Sequence, residues 1–287
     1  MKRSVNPSLI ILLALMCIAA WSMSYSGGSG GSRSSRSSKS SSSSRGSGDS
    51  GAVSVVASEF MERPLGRAGD FLIEHTGYAL VYNTETNCPD WVAWELTQEE
   101  ADGKDARRVN AFRGDPLVPE ENRVETADYK DCGYDRGHMC PAGDMKWSSK
   151  AMSECFYMSN ICPQSPTLNR QWWEHLESAC RRWARQEGSV YICCGPIFKQ
   201  ERKKKYVGDA VKVRVPNSFF KVVLSLKEGD EKAIGFVYSN RDSRQPMEEA
   251  VVTVDSVERL TGLDFYYQLN SEMQEALESK ANLTLWR

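Results

Sequence analysis

The residues able to do chemistry gather in one stretch of the 287-residue chain: Asp135-Arg136-Gly137-His138, Asn160, Pro166-Thr167-Leu168-Asn169-Arg170 and Glu177. A glycine between an arginine and a histidine lets the backbone approach a neighbour closely, so the two flanking side chains can address one charged group together. Asn169 and Glu177 lie about 80° apart around a regular helix, at roughly 100° per residue. An amide in the first turn and a carboxylate two turns on can flank a hydrated cation. Each fragment also has a plainer reading, a polar turn for the tetrapeptide and a solvated helix face for the amide and carboxylate.

These side chains need a scaffold, and the sequence supplies mixed elements. Ala79 to Asn83 and Trp91 to Leu96 read as the strands of a hairpin joined by the polar stretch 84–90. In the second strand Trp91, Ala93 and Glu95 alternate with Val92, Trp94 and Leu96. Further strands are predicted over 155–161, 189–197, 219–226 and 234–239, bounded by Gly, Pro, Asn and Asp. The clearest helix covers 166–185, where Leu168, Trp172, Leu176, Ala179 and Trp183 recur at helical spacing. Ser165 is its expected N-cap, Pro166 its first residue and Gly188 its stop. A second helix is predicted over 254–260, ahead of Thr261-Gly262. The fold class is α+β, a central mostly antiparallel sheet flanked by helices.

Composition narrows the field. The chain is 40% hydrophobic and 26% charged, with a mean hydropathy of −0.50. Its one long apolar run, Leu9 to Trp21, is too short to cross a bilayer, which takes about 20 residues. Following Lys2-Arg3 and ending at the small residues Ala20 and Ser22, it reads as a signal peptide over 1–22, so the expected location is secreted or periplasmic. Met16 ahead of Cys17 argues against a lipoprotein. Residues 23–52 read as a Ser/Gly-rich flexible linker, leaving 53–287 as the folded domain. Leader and linker hold six basic residues and one acidic, so the domain carries 30 basic against 37 acidic side chains. A polyanion would therefore need a local site rather than bulk charge.

Eight cysteines follow Cys17: Cys88, Cys132, Cys140, Cys155, Cys162, Cys180, Cys193 and Cys194. An even number in an exported chain predicts disulfides, with roughly a hundred possible connectivities. Cys132 and Cys140 bracket the Asp135-to-His138 turn and could hold it. Zinc fits poorly, because the chain has no C-x-x-C pair and only three histidines. Adjacent Cys193 and Cys194 in a strand would face opposite sides.

Taken in order, D-R-G-H-M-x-P-A-x-D-M from Asp135, F-Y-M-S-N-I-x-P-Q from Phe156 and L-N-R-x-x-W-x-x-L-E from Leu168 resemble the DNA/RNA non-specific endonuclease family of the ββα-metal, or His-Me finger, group. The G-P-I-F that ends the 190–198 run and T-V-D-S-V-E-R-L-T-G-L-D-F from Thr253 extend the likeness over residues 70–270. The resemblance implies a ββα-metal motif, Mg²⁺ or possibly Mn²⁺ as cofactor, and DNA and RNA as substrates. It makes His138 the general base, Asn169 the protein ligand of the metal, and Glu177 a carboxylate that orients water around it. Arg136 would contact the scissile phosphate, and Asn160 would support the site. A further family arginine precedes an aromatic and an Asp-Pro pair. Arg107 and Arg108, ahead of Phe112 and Asp115-Pro116, both qualify, and Arg108 is the preferred choice.

The chemistry suits those residue types. An imidazole with an ordinary pKa near 6.5 accepts a proton from water close to neutral pH. Mg²⁺ prefers oxygen ligands and keeps several waters, so one amide oxygen plus phosphate oxygens suffices to anchor it. A guanidinium grips phosphate through two donors, which addresses backbone rather than base edges and implies little sequence preference.

Three functions follow: an exported endonuclease, a phosphodiesterase acting on small nucleotide substrates, and an inactive disulfide-stapled binding protein. The acidic domain favours the last, and the joint presence of Arg136, His138, Asn169 and Glu177 opposes it. Among the remaining candidates, His75 is expected in a surface turn and His175 is expected to be structural or exposed. Trp172 and Trp183 are expected in the core. Lys203-Lys204-Lys205 reads as a solvated loop or a phosphate site.

Overall fold

Residues 60–287 are described in the computed structural model, so the expected leader over 1–22 and linker over 23–52 lie outside the described residues. The described strands are β1 (Leu72–Glu74), β2 (Ala79–Asn83), β3 (Cys88–Thr97), β4 (Asp135–His138), β5 (Ile161–Gln164), β6 (Ser189–Ile197), β7 (Tyr206–Val207), β8 (Val213–Arg214), β9 (Ser218–Ser225), β10 (Lys232–Ser239) and β11 (Val251–Val252). Seven of them form one sheet in the order β1-β2-β3-β6-β9-β10-β11, with every neighbouring pair antiparallel. β4-β5 and β7-β8 are separate two-stranded ribbons. The helices are α1 (Gln98–Ala101), α2 (Ser149–Glu154), α3 (Glu174–Glu187), α4 (Met247–Ala250), α5 (Val254–Thr261) and α6 (Ser271–Glu278).

Alternation along the strands divides the core into two layers, because successive side chains point to opposite faces. Val92, Trp94 and Leu96 of β3 pack on the face that carries α3, together with Trp173 and Trp183. Trp91 and Ala93 pack on the other face with Val254 and Val257 of α5. Cys194 lies in the first layer and Cys193 in the second, as adjacent strand positions require. Burying each large indole contributes roughly 4–6 kcal/mol of gross apolar transfer free energy. The sheet thus forms a rigid wall behind the α3 layer.

Three expectations need correction. The segment 155–161 is not a strand: a 3₁₀ turn, Met158–Asn160, precedes β5. The buried Asn160 side chain causes this, since it donates to the carbonyls of Cys140 and Cys155 and accepts from the Cys140 N–H, which pulls the backbone out of strand register. The helix predicted over 166–185 opens with a π-helical turn, Leu168–Trp173, ahead of α3. That extra residue per turn puts Trp173 rather than Trp172 beneath Leu168: Trp173 is buried, while Trp172 is half-buried. Ser165 does not cap this helix, because its hydroxyl has no hydrogen-bond partner. The first N–H groups are met instead by a distant loop, Ser165 N–H donating to Asn240 Oδ1 at 2.7 Å and Thr167 N–H to Asp242 Oδ1 at 3.0 Å.

The disulfide expectation is also overturned. All eight cysteines from Cys88 to Cys194 are free thiols, and all but Cys132 are buried. They serve as small apolar side chains of the core, so the 135–138 segment is held by strand pairing and packing rather than by a Cys132–Cys140 bridge.

Candidate active site

The 135–138 tetrapeptide is β4, paired antiparallel with β5 so that Arg136 faces Pro163, Gly137 faces Cys162 and His138 faces Ile161. Gly137 is required by its partner strand, because a Cβ there would run into the Gln164 side chain. The chain then passes from β5 into the π turn and α3, giving two strands and a helix around one cleft. Arg108, Arg136, His138, Asn169, Glu177 and Arg181 all line it. Of the two arginines left open by the sequence, Arg108 lines the cleft.

His138 is buried, wedged between the rings of Phe112 at 5.3 Å and Phe156 at 4.9 Å. Its carbonyl accepts from Trp173 Nε1 at 3.2 Å, which ties the strand to the helix. Its Nε2 is buried without a partner. Burial, and then the charges of Arg108 and Arg136, lower its pKa to about 3, so the imidazole is neutral in the free protein. The Arg136 guanidinium lies 4.4 Å from the centre of the Phe112 ring, which holds it at the cleft edge while leaving it exposed.

Asp135 organises the opposite wall. It accepts from Asn169 Nδ2 at 2.9 Å and from Arg170 through two bonds of 2.8 and 2.7 Å. Burial alone would raise its carboxyl pKa, but the Arg170 and Asn169 bonds and the nearby cations hold it below the ordinary value. With its amide nitrogen committed to Asp135, Asn169 keeps its oxygen without a protein partner among the described residues. A neutral oxygen in the same cleft as the Glu177 carboxylate is a donor set that suits a hard divalent cation such as Mg²⁺.

Glu177 sits half-buried at the cleft floor. Burial pushes its carboxyl up to about 7, against the lowering influence of Lys221 and Arg181 and with the added repulsion of Asp144 and Glu174. Behind it, the fully buried Asp144 accepts from Arg181 Nη1 at 2.9 Å and from Trp94 Nε1 at 3.2 Å. Lys221, also fully buried, has its Nζ 4.6 Å from the centre of the Trp173 ring and 5.0 Å from that of Trp94.

The structure therefore brings together Arg108, Arg136, His138, Asn169 and Glu177 around the cleft, with Asn160 buried beneath it as a staple. Sequence reasoning missed Arg181, Asp144 and Lys221. Arg181 stands one helical turn beyond Glu177, Asp144 lies inside the 135–145 motif, and Lys221 is the lone cation in the apolar run of β9. Each was therefore visible as a residue type out of place. His75 lies in the β1–β2 turn, as expected, but its side chain points inward: its Nε2 pairs with the buried Asp115 at 2.9 Å, and its ring packs against Tyr78 and Tyr157. His175 is exposed, as expected.

The family model described as DNA/RNA non-specific endonuclease matches residues 57–272. The chain is 38% identical to the mitochondrial endonuclease G of Homo sapiens over 198 residues, 66% of this chain and 67% of that protein. It is 37% identical to mitochondrial nuclease 1 of Schizosaccharomyces pombe over 69% of this chain and 66% of that protein. It is also 37% identical to nuclease C1 of Cunninghamella echinulata over 71% of this chain and 86% of that protein. A crystal structure of an EndoG/EndoGI complex superposes with a TM-score of 0.64 and 32% identity, over 70% of this chain and 87% of that chain. The chain spans about two thirds of the length of the endonuclease G and nuclease 1 relatives. Those two relatives are mitochondrial, which overturns the expectation of a secreted or periplasmic protein. No helix among the described residues is long and apolar enough to cross a membrane.

Proposed function

We propose that this chain, which belongs to the DNA/RNA non-specific endonuclease family, is a divalent-metal-dependent endonuclease, with Mg²⁺ or Mn²⁺ as the ion, that hydrolyses the phosphodiester bonds of DNA and RNA with little sequence preference. The observation that carries this reading is His138: a neutral imidazole set in one cleft with the guanidiniums of Arg108, Arg136 and Arg181, the Asn169 amide and the Glu177 carboxylate.

Arg136 grips the scissile phosphate from the exposed edge, and Arg108 adds a second cation. His138 takes the proton of the attacking water on its imidazole, fixed in place by Phe112, Phe156 and the Trp173 bond to its carbonyl. Burial and the two arginines depress its basicity in the free protein. A bound phosphate offsets the arginine charges and so brings the imidazole back toward the range where it abstracts a proton well. Asn169 presents its amide oxygen to the metal, aimed by Asp135, while Glu177 orders the surrounding water. The bound cation supplies neutralisation of charge on the phosphate and the leaving oxygen. Because every contact addresses the sugar-phosphate backbone, both DNA and RNA qualify as substrates.

Digestion of supercoiled plasmid and of RNA by the purified protein, with Mg²⁺ and with chelator, tests the reading. Cleavage of both polymers should require the ion, and His138→Ala should lower the rate by at least about 10²-fold, the usual worth of a general base. His138→Ala retaining most of the wild-type rate, or cleavage of mononucleotide diesters alone, would overturn it.

A further inference from the structure

The Lys203-Lys204-Lys205 run belongs to a cationic cleft that the hydrolytic reading leaves unused. Three clefts follow one another along the same face. Arg136 borders both the catalytic cleft and a second one that also includes Lys130 and Tyr134. Tyr134 in turn borders a third, lined by Lys199, Lys204, Lys205, Arg214 and Arg241, with Glu201 as its one carboxylate. This third cleft lies where the segment after β6, the end of β8 and the loop after β10 meet.

The cations there are not neutralised by the protein. Among the described residues, none of those five forms an ion pair. Glu201 is engaged by Asn217 Nδ2 at 2.8 Å. Lys205 Nζ donates to the Tyr134 hydroxyl at 2.7 Å, which pins one ammonium at the junction between the second and third clefts. Arg214 is held by a bond to the Lys199 carbonyl at 2.8 Å and lies 4.6 Å from the centre of the Phe198 ring. Like charges crowded in this way repel one another, and the rest of the domain is acidic, with 37 acidic against 30 basic residues beyond position 52. A local excess of fixed cations on an acidic protein attracts anions, and its continuity with Arg136 points to the polynucleotide backbone as the occupant.

The geometry points to a second phosphate-binding region, running from Arg136 past Tyr134 to Lys204, Lys205 and Arg214, that holds the sugar-phosphate backbone of a polynucleotide several nucleotides from the bond being cut. The inference rests on the nuclease reading of the catalytic cleft. It makes the protein prefer long strands over short ones, because each backbone phosphate held by a cation releases counterions and adds affinity without base readout.

The test uses the full chain and the double variant Lys204→Glu/Lys205→Glu, both exposed positions. Binding of a single-stranded oligonucleotide long enough to pass all three clefts is measured by fluorescence anisotropy in chelator, so that nothing is cut, over a series of salt concentrations. Affinity should fall by about tenfold or more, and the slope of log K against log salt should shrink by roughly 1.4, about 0.7 for each lost single-strand contact. Hydrolysis of bis(p-nitrophenyl) phosphate should stay at the wild-type rate while KM for polymeric DNA rises. Unchanged affinity and slope would overturn the proposal. Loss of the small-diester activity along with polymer binding would place these lysines in the catalytic fold and equally overturn it. If the wild-type protein cuts neither substrate, the nuclease reading fails, and the binding measurement still decides whether the strand region exists.

Discussion

The Asn169 side-chain amide donates to Asp135 at 2.9 Å, and this one bond decides which end of Asn169 is left for a metal. Asp135 belongs to β4 and Asn169 to the π turn, so the contact joins the ribbon and the helix at the point where the cation would bind. Arg170 in turn fixes Asp135 through two bonds. The oxygen of Asn169 is therefore aimed before any ion arrives, which lowers the entropy lost on binding.

Asp135→Ala should accordingly act on the metal first. Partners that orient a metal ligand are typically worth about 10- to 100-fold in affinity. The Mg²⁺ concentration giving half-maximal cleavage should rise by that order, with a smaller fall in kcat at saturating ion. A metal titration indistinguishable from wild type would show that Asn169 does not depend on Asp135.

Glu177→Gln should change stability in a pH-dependent way. The folded carboxyl titrates near 7 against an ordinary value of 4.5. The folded state therefore holds a proton that the unfolded state has released between those values, so stability falls as the pH rises from about 4.5 to about 7 and the full cost persists above that. The variant should melt higher than wild type at about pH 8, by at least about 2 °C given that 1 kcal/mol moves Tm by roughly 2–4 °C in a domain of this size, with no difference near pH 4. Its cleavage rate should be low throughout, and wild-type cleavage should rise as the pH passes through about 7. Equal Tm differences at both pH values would refute the assignment.

Gly137→Ala should damage both fold and activity, because the new Cβ meets the Gln164 side chain. Overpacking of this kind costs typically about 1–3 kcal/mol and would shift His138 with its strand. Because the Gln164 Cβ itself lies 2.6 Å from the new atom, only the double variant Gly137→Ala/Gln164→Gly removes the collision, and it should recover part of the Tm lost in Gly137→Ala. Additive losses in the double variant would locate the requirement elsewhere.

The free thiols make a chemical prediction. Reducing agent should leave Tm and cleavage unchanged, and alkylation after denaturation, without reduction, should label all eight cysteines from Cys88 to Cys194. A mass map showing any of them bridged would contradict the structure.

Residue types and their order pointed to the family and determined the class of fold. An imidazole, two guanidiniums, an amide and a carboxylate stood in motifs that resemble the DNA/RNA non-specific endonuclease family, and that resemblance implied phosphodiester chemistry. Alternation and helical spacing located β2, β6, β10 and α5 to within about two residues, because burial on one or both faces leaves a periodic trace in the chain. The tertiary structure decided whatever depended on a partner distant in sequence. It placed Arg108 in the cleft with Arg136 and His138, and it set His75 against Asp115. It capped the helix start from Asn240 and Asp242, and it buried Trp173 through a π turn that regular helical spacing does not reveal. The same physics governs the cysteines and Lys221. Composition reports that a thiol or an ammonium is present, but whether the thiol meets another sulfur, or the ammonium lies between two indole faces, depends on which strands the sheet brings side by side.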